Sequence, residues 1–119
     1  MAAVKEVELV VPQGATFIYE MTYVDPLTNN APVNLTGFTA RMQVRAKLGD
    51  AAIVYSADTT ADMAIPAPAT GVVLLTVPAA VTATWTFRRA VFDVEIVSSA
   101  GIVTRIVKGA MLLDREVTR

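Results

Sequence analysis

Apolar and polar residues alternate with a period of two through most of this chain. Val7, Leu9 and Val11 share one side of a first segment, Val4–Val11, and Glu6 and Glu8 the other. In Thr16–Val24, Phe17, Tyr19, Met21 and Tyr23 interleave with Ile18, Glu20, Thr22 and Val24. In Phe38–Ala46, Ala40, Met42 and Val44 interleave with Thr39, Arg41, Gln43 and Arg45. Side chains alternate faces on a strand, so each run reads as one face in a core and one outside it.

The same reading predicts a short strand at Ala52–Ser56 and another near Met63–Ile65. Val72–Val77 is almost continuously apolar, which suits a strand covered on both faces. Pro78–Trp85 breaks the period; one helical turn there would place Pro78, Val81 and Trp85 on one side as a cap. Ala90–Val97 returns to alternation, with Ala90, Phe92, Val94 and Ile96 inward and Asp93 and Glu95 outward. Ser98–Gly101 reads as a hairpin loop to Ile102–Lys108. Gly109 marks an expected bulge or bend before Ala110–Leu113, and Asp114–Arg119 reads as a polar tail.

Between the segments stand turn formers: Pro12-Gln13-Gly14, Asp25–Asn30, Leu48-Gly49-Asp50 and Pro66–Gly71. Ala31–Gly37 reads as an extended connector in which Leu35 plugs the core and Asn34 and Thr36 bond nearby backbone. Short strands with turn signals about every ten residues argue for an all-β, antiparallel Ig-like β-sandwich of about seven to eight strands. At 119 residues the chain reads as one domain, long enough to bury a core without staples.

Composition narrows the function. The chain has neither histidine nor cysteine, which removes disulfides, thiolate chemistry and thiolate metal sites. Ten basic and eleven acidic residues are spread without blocks, so no basic stripe for nucleic acid is present. Arg41, Arg45 and Lys47 share one strand face and read as a solvated outer surface. No charged-then-apolar leader pattern opens the sequence, and the longest apolar run, Val72–Val81, is broken by Thr76 and Pro78. A bilayer span needs about 20 apolar residues, so no membrane association is expected. The 54% hydrophobic content suggests that some surface meets another protein.

Chemistry has few places to sit. Asp93 and Glu95, about 7 Å apart along one strand face, have the spacing of a glycosidase pair and equally of any solvent-facing strand. Asp58 and Asp62 share a polar loop but lack the ligand density and positioned glycine of a calcium loop. No phosphate-binding glycine loop exists. Trp85, with Phe87 and Arg88, suits a core cap better than a sugar platform. The expectation is a non-enzyme without cofactor or metal.

Pro32–Arg45, Pro-Val-Asn-Leu-Thr-Gly-Phe-Thr-Ala-Arg-Met-Gln-Val-Arg, resembles a module of tailed-phage and prophage structural proteins. Gly14–Phe17 resembles its early strand start, Val81–Ala83 the segment before its penultimate strand, and Phe92–Ile96 its Tyr-Asp-Leu-Glu strand. Gly101–Arg105 with Gly109 and the closing Glu116–Arg119 complete the likeness. The chain is thus similar to the N-terminal domain of baseplate upper proteins, which attach receptor-binding proteins to phage tails.

That resemblance implies a virion protein, assembled in the host cytoplasm and present in several copies per particle. Its partners would be other virion proteins, in the tail, baseplate or fibre-attachment apparatus. A capsid decoration protein is the nearest alternative, and a carbohydrate-binding module using Trp85 the next. The termini are the expected docking elements, because end strands can add to neighbours. They offer Val4, Val7, Leu9 and Val11 from the first segment and Asp114, Arg115, Val117 and Arg119 from the last.

Overall fold

A computed structural model describes residues 4–118. The fold is all-β. Among the described residues, ten strands form three sheets. The largest contains β1 (Lys5–Pro12), β5 (Thr39–Arg45), β6 (Tyr55–Asp58), β9 (Arg89–Val97) and β10 (Val103–Asp114), in the order β1-β10-β9-β5-β6. The second, in the order β2-β8-β7, contains β2 (Phe17–Thr22), β7 (Met63–Ala64) and β8 (Val72–Val77). A two-residue ribbon joins β3 (Val24–Asp25) to β4 (Ala31–Pro32). One helical turn, α1 (Ala79–Thr82), follows β8.

Alternation places the core as the sequence predicts. Ala40, Met42 and Val44 of β5 and Ala90, Phe92, Val94 and Ile96 of β9 are buried. They share one cluster with Met21, Val73, Leu75 and Val77 from the smaller sheet. Fully burying a side chain of this size stabilises by about 1.5–3 kcal/mol, so the shared cluster holds the two sheets together. Leu35, 1% exposed, plugs it from the connector. Its backbone N–H donates to the Pro68 carbonyl, and Phe38 N–H donates back to Leu35, pinning the corner.

Four expectations need correction. First, the pairing is not antiparallel throughout: β1 lies parallel to β10, from Lys5 beside Val107 to Pro12 beside Asp114. The turn at Gln13-Gly14 does not close a hairpin; it carries the chain from one sheet to the other. The first strand therefore falls beside the last, which runs the same way. Gly109 permits the approach, since a Cβ there would lie 1.7 Å from the Val7 carbonyl oxygen.

Second, the bulge falls at Ile106. Arg105 pairs with Glu95 and Val107 with Val94, leaving Ile106 as the extra residue. Both Ile106 and Val107 are buried. The phase shift lets Arg105 and Lys108, three residues apart, project from the same outer face.

Third, the fourth segment sits later than expected, at Tyr55–Asp58, because an irregular loop from residue 46 to 54 precedes it. Fourth, β8 buries one face only: Val73, Leu75 and Val77 are buried, while Val72, Leu74 and Thr76 are half-exposed. In the turn after β8, Val81 packs half-buried against the core and Trp85 is buried in it, as the cap requires; Pro78 is exposed, and the fully buried residue of α1 is Thr82.

Candidate docking face

Charged side chains on the outer face of the five-stranded sheet form rows across the strands. One row runs Asp58, Arg41, Glu95, Arg105. The next runs Gln43, Asp93, Lys108, Glu6, and the next Arg45, Val91, Ala110, Glu8. Opposite charges therefore sit on neighbouring strands, the cross-strand arrangement that favours pairing. Arg41 Nε donates to Glu95 Oε1 at 2.9 Å, and Arg105 lies 3.9 Å from Asp93.

The loop after β5 rises over this face. Arg45 reaches the carbonyls of Asp50 and Ala51 and the Gln43 side chain, holding the loop in place. Leu48 sits at the rim, 92% exposed. The result is an open groove of about 890 Å³ between this loop and β1, with Val91 and Ala110 at its floor and Glu6, Glu8, Arg89 and Lys108 among its walls. Such a mixed-charge, weakly apolar concavity suits a protein surface better than a small apolar ligand.

Asp93 lies in this groove. Burial raises its pKa above the ordinary carboxylate value, Glu95 raises it further, and Arg105, Arg45 and Arg41 oppose both. The carboxylate pair weighed for acid–base chemistry is thus divided between two arginines, with Glu95 bound to Arg41 and Asp93 beside Arg105.

Asp58 and Asp62 are also engaged. Asp58 accepts from the hydroxyl and N–H of Thr60, and its pKa falls chiefly through the hydroxyl bond. Asp62 accepts the Tyr55 hydroxyl at 2.5 Å. Among the described residues no group of three or more acidic side chains could hold a metal ion.

Trp85 is 3% exposed, edge-on to Tyr55 at 5.6 Å and tilted against Phe87 at 5.3 Å. Its ring is part of the core and presents no platform for a sugar, which removes the main support of the carbohydrate alternative.

The predicted terminal docking residues divide. Val11 is fully buried and Val7 and Leu9 are packed against the core, so none of the three offers a free side chain. Val4 lies just before β1, half-buried. The start of the tail is tied down. Asp114 O accepts from Gln13 N–H, Glu116 N–H donates to Gln13 Oε1, and Arg115 donates to the Thr86 carbonyl. Val117 is 98% exposed, and Arg119 lies outside the described residues.

Sequence reasoning missed the polar clasp that anchors this tail. Gln13 and Thr82 are the buried polar residues of the described chain. Gln13 Nε2 donates to the Trp85 carbonyl at 2.8 Å. Thr82 Oγ1 accepts from Gly14 N–H and donates to the Ala15 carbonyl. The clasp joins the sheet-changing turn, α1 and the C-terminal tail. Local sequence carries no signal for it, since its members lie up to 103 residues apart.

No family model and no curated protein sequence matches this chain. The functional reading therefore rests on the resemblance and on the surfaces themselves. No helix among the described residues is long and apolar enough to cross a membrane.

Proposed function

We propose that this chain is a non-enzymatic structural protein of a tailed-phage virion, docking by protein–protein contacts in the tail, baseplate or fibre-attachment apparatus. Its fold, on this reading, is an immunoglobulin-like sandwich. The order β1-β10-β9-β5-β6 facing β2-β8-β7 supports it, since sheets of G-F-C and B-E-D type are the hallmark of that architecture. The five-stranded outer face carries the docking role.

The observation that carries this reading is the groove on that face. Its charges are already matched along rows, its floor is apolar, and a loop fixed by Arg45 shapes one wall. An apolar centre ringed by polar side chains is the layout of a protein–protein contact. The partners would be other virion proteins, met in several copies per particle.

Quantitative mass spectrometry of purified particles, separated into heads and tails, tests the proposal. Recovery with tails at a few to a few dozen copies supports it. Recovery with heads at high copy number assigns the chain to capsid decoration instead. Absence from intact particles overturns the virion reading.

A further inference from the structure

Beside the five-stranded face lies a second surface of different character. Four strands form the edges of the two main sheets: β1, β6, β2 and β7. Three of them are blunted in the ways proteins use to prevent edge pairing. The β6 and β7 strands have four and two residues. The β1 strand carries Lys5, Glu6 and Glu8 and ends in Pro12. The remaining edge, β2, has six residues, Phe-Ile-Tyr-Glu-Met-Thr, with one charge, no proline and no break in register.

The direction of the β2 backbone follows from its ladder. Tyr23 N–H donates to Gly71 O at 2.8 Å, one step beyond the pairing of Thr22 with Val72. Hydrogen-bonded pairs alternate in an antiparallel ladder. Phe17, Tyr19 and Met21 therefore bond β8, and the N–H and C=O groups of Ile18, Glu20 and Thr22 point to the open edge. Among the described residues no strand covers that edge. Ile18 is 62% exposed on the outer side.

Where the next strand would lie, the space between the sheets opens into a cleft of about 270 Å³, lined by Lys5, Tyr19, Met21, Tyr23, Ile106 and Val107 among others. A strand laid along β2 would direct every second side chain into this cleft, against Met21, Ile106 and Val107, each 4% exposed. Its other side chains would join the outer face, one of them opposite Glu20.

We propose that the free edge of β2 and the cleft beside it accept an extended strand from a different protein. The strand carries small apolar residues at alternate positions and a lysine or arginine opposite Glu20. Charge selects this occupant over a second copy of the same chain. The register that pairs Ile18, Glu20 and Thr22 of two copies sets Glu20 against Glu20, and like charges directly opposed disfavour pairing. A cation there is favourable. Backbone bonds supply affinity and the cleft supplies side-chain selection, as in other strand-addition complexes.

The probe is an acetylated, amidated peptide, Thr-Val-Lys-Val-Thr-Val, added to the purified chain, with amide exchange followed residue by residue. At about 1 mM peptide, exchange at Ile18, Glu20 and Thr22, whose N–H groups face the open edge, should slow by about tenfold or more. Glu20→Pro removes an N–H on the open edge and leaves the β8 ladder whole, so Tyr19 stays protected while peptide binding is lost. Glu20→Lys should likewise lose this peptide and bind the version with glutamate in place of lysine.

Four results would overturn the proposal. One is protection of Ile18, Glu20 and Thr22 in the dilute chain without peptide. Another is protection that grows with protein concentration alone, which would assign the edge to a second copy. The third is no slowing at the stated peptide concentration, and the fourth is equal binding by Glu20→Pro. None of these depends on whether the chain occurs in a virion.

Discussion

Replacing Gly109 with alanine tests the parallel pairing of the first and last strands. The added Cβ would lie 1.7 Å from the Val7 carbonyl oxygen, 2.8 Å from its carbonyl carbon and 3.0 Å from its nitrogen. All three are backbone atoms, so no rotamer change relieves the overlap. Ordinary contact begins at 3.4 Å, and β1 would have to recede by roughly that first distance again. A shift of that size takes N–H···O separations near 2.9 Å out of bonding range.

The chain then has two alternatives. Keeping β1 in place stores an overpacking strain of about 1–3 kcal/mol, at the upper end because backbone cannot yield. Releasing β1 withdraws fully buried Val11 and half-buried Val7 and Leu9 from the core. At about 1.5–3 kcal/mol for a fully buried side chain, that release costs roughly 3–6 kcal/mol. The expected loss is therefore about 3 kcal/mol, a fall in Tm of about 10–15 °C.

Urea denaturation measures the loss, and amide exchange locates it. The β1 amides should open first while β5 and β9 stay protected. Gly101→Ala is the control. It has φ +85° with nothing within 4 Å of its Cβ, so it should cost only the left-handed backbone penalty of about 1–2 kcal/mol. A Gly109→Ala chain within about 1 kcal/mol of the parent, with β1 still protected, would refute the reasoning.

Three further outcomes follow from the same structure. Thr82→Val keeps the volume but strips Gly14 N–H and the Ala15 carbonyl of their partner, and should cost about 2–4 kcal/mol by urea denaturation. Tyr55→Phe removes the hydroxyl bond to Asp62 and should cost about 1–2 kcal/mol at neutral pH. Burial first, and that bond second, raise the Tyr55 pKa above 10.0, so the unfolded chain releases the phenolic proton before the folded one. Stability of the parent should thus fall as pH rises above that value, and the Tyr55→Phe chain should lose less over the same range. Trp85, the chain's single tryptophan, should emit at short wavelength, resist acrylamide quenching and ignore added polysaccharide; ready quenching would contradict its place in the core.

The period of two in the sequence was enough to place most strands and to sort their faces. Ala40, Met42 and Val44, and Ala90 through Ile96, alternate because a pleated strand turns successive side chains to opposite sides. Leu35 was readable as a plug because it is a large apolar residue set between Asn34 and Thr36, polar turn formers that bond nearby backbone. The bulge was also encoded: Arg-Ile-Val-Lys at 105–108 sets two apolar residues between two charges, a phase break that points to residue 106 rather than to Gly109.

Which strands become neighbours was beyond the local pattern. Alternation fixes the inward side of a segment and carries nothing about its partner, so the placement of β1 beside β10 came only with the tertiary structure. Gly109 shows the same division. Its sequence signal was an irregular backbone, and its structural reason is a strand from the other end of the chain passing too close for a side chain. The docking surfaces belong wholly to the second category. Rows of charge across five strands, a buried clasp joining residues 13, 82 and 116, and an open edge at β2 arise from contacts between distant segments. Those contacts are chosen by the joint burial of all the apolar faces at once, and no single segment contains that information.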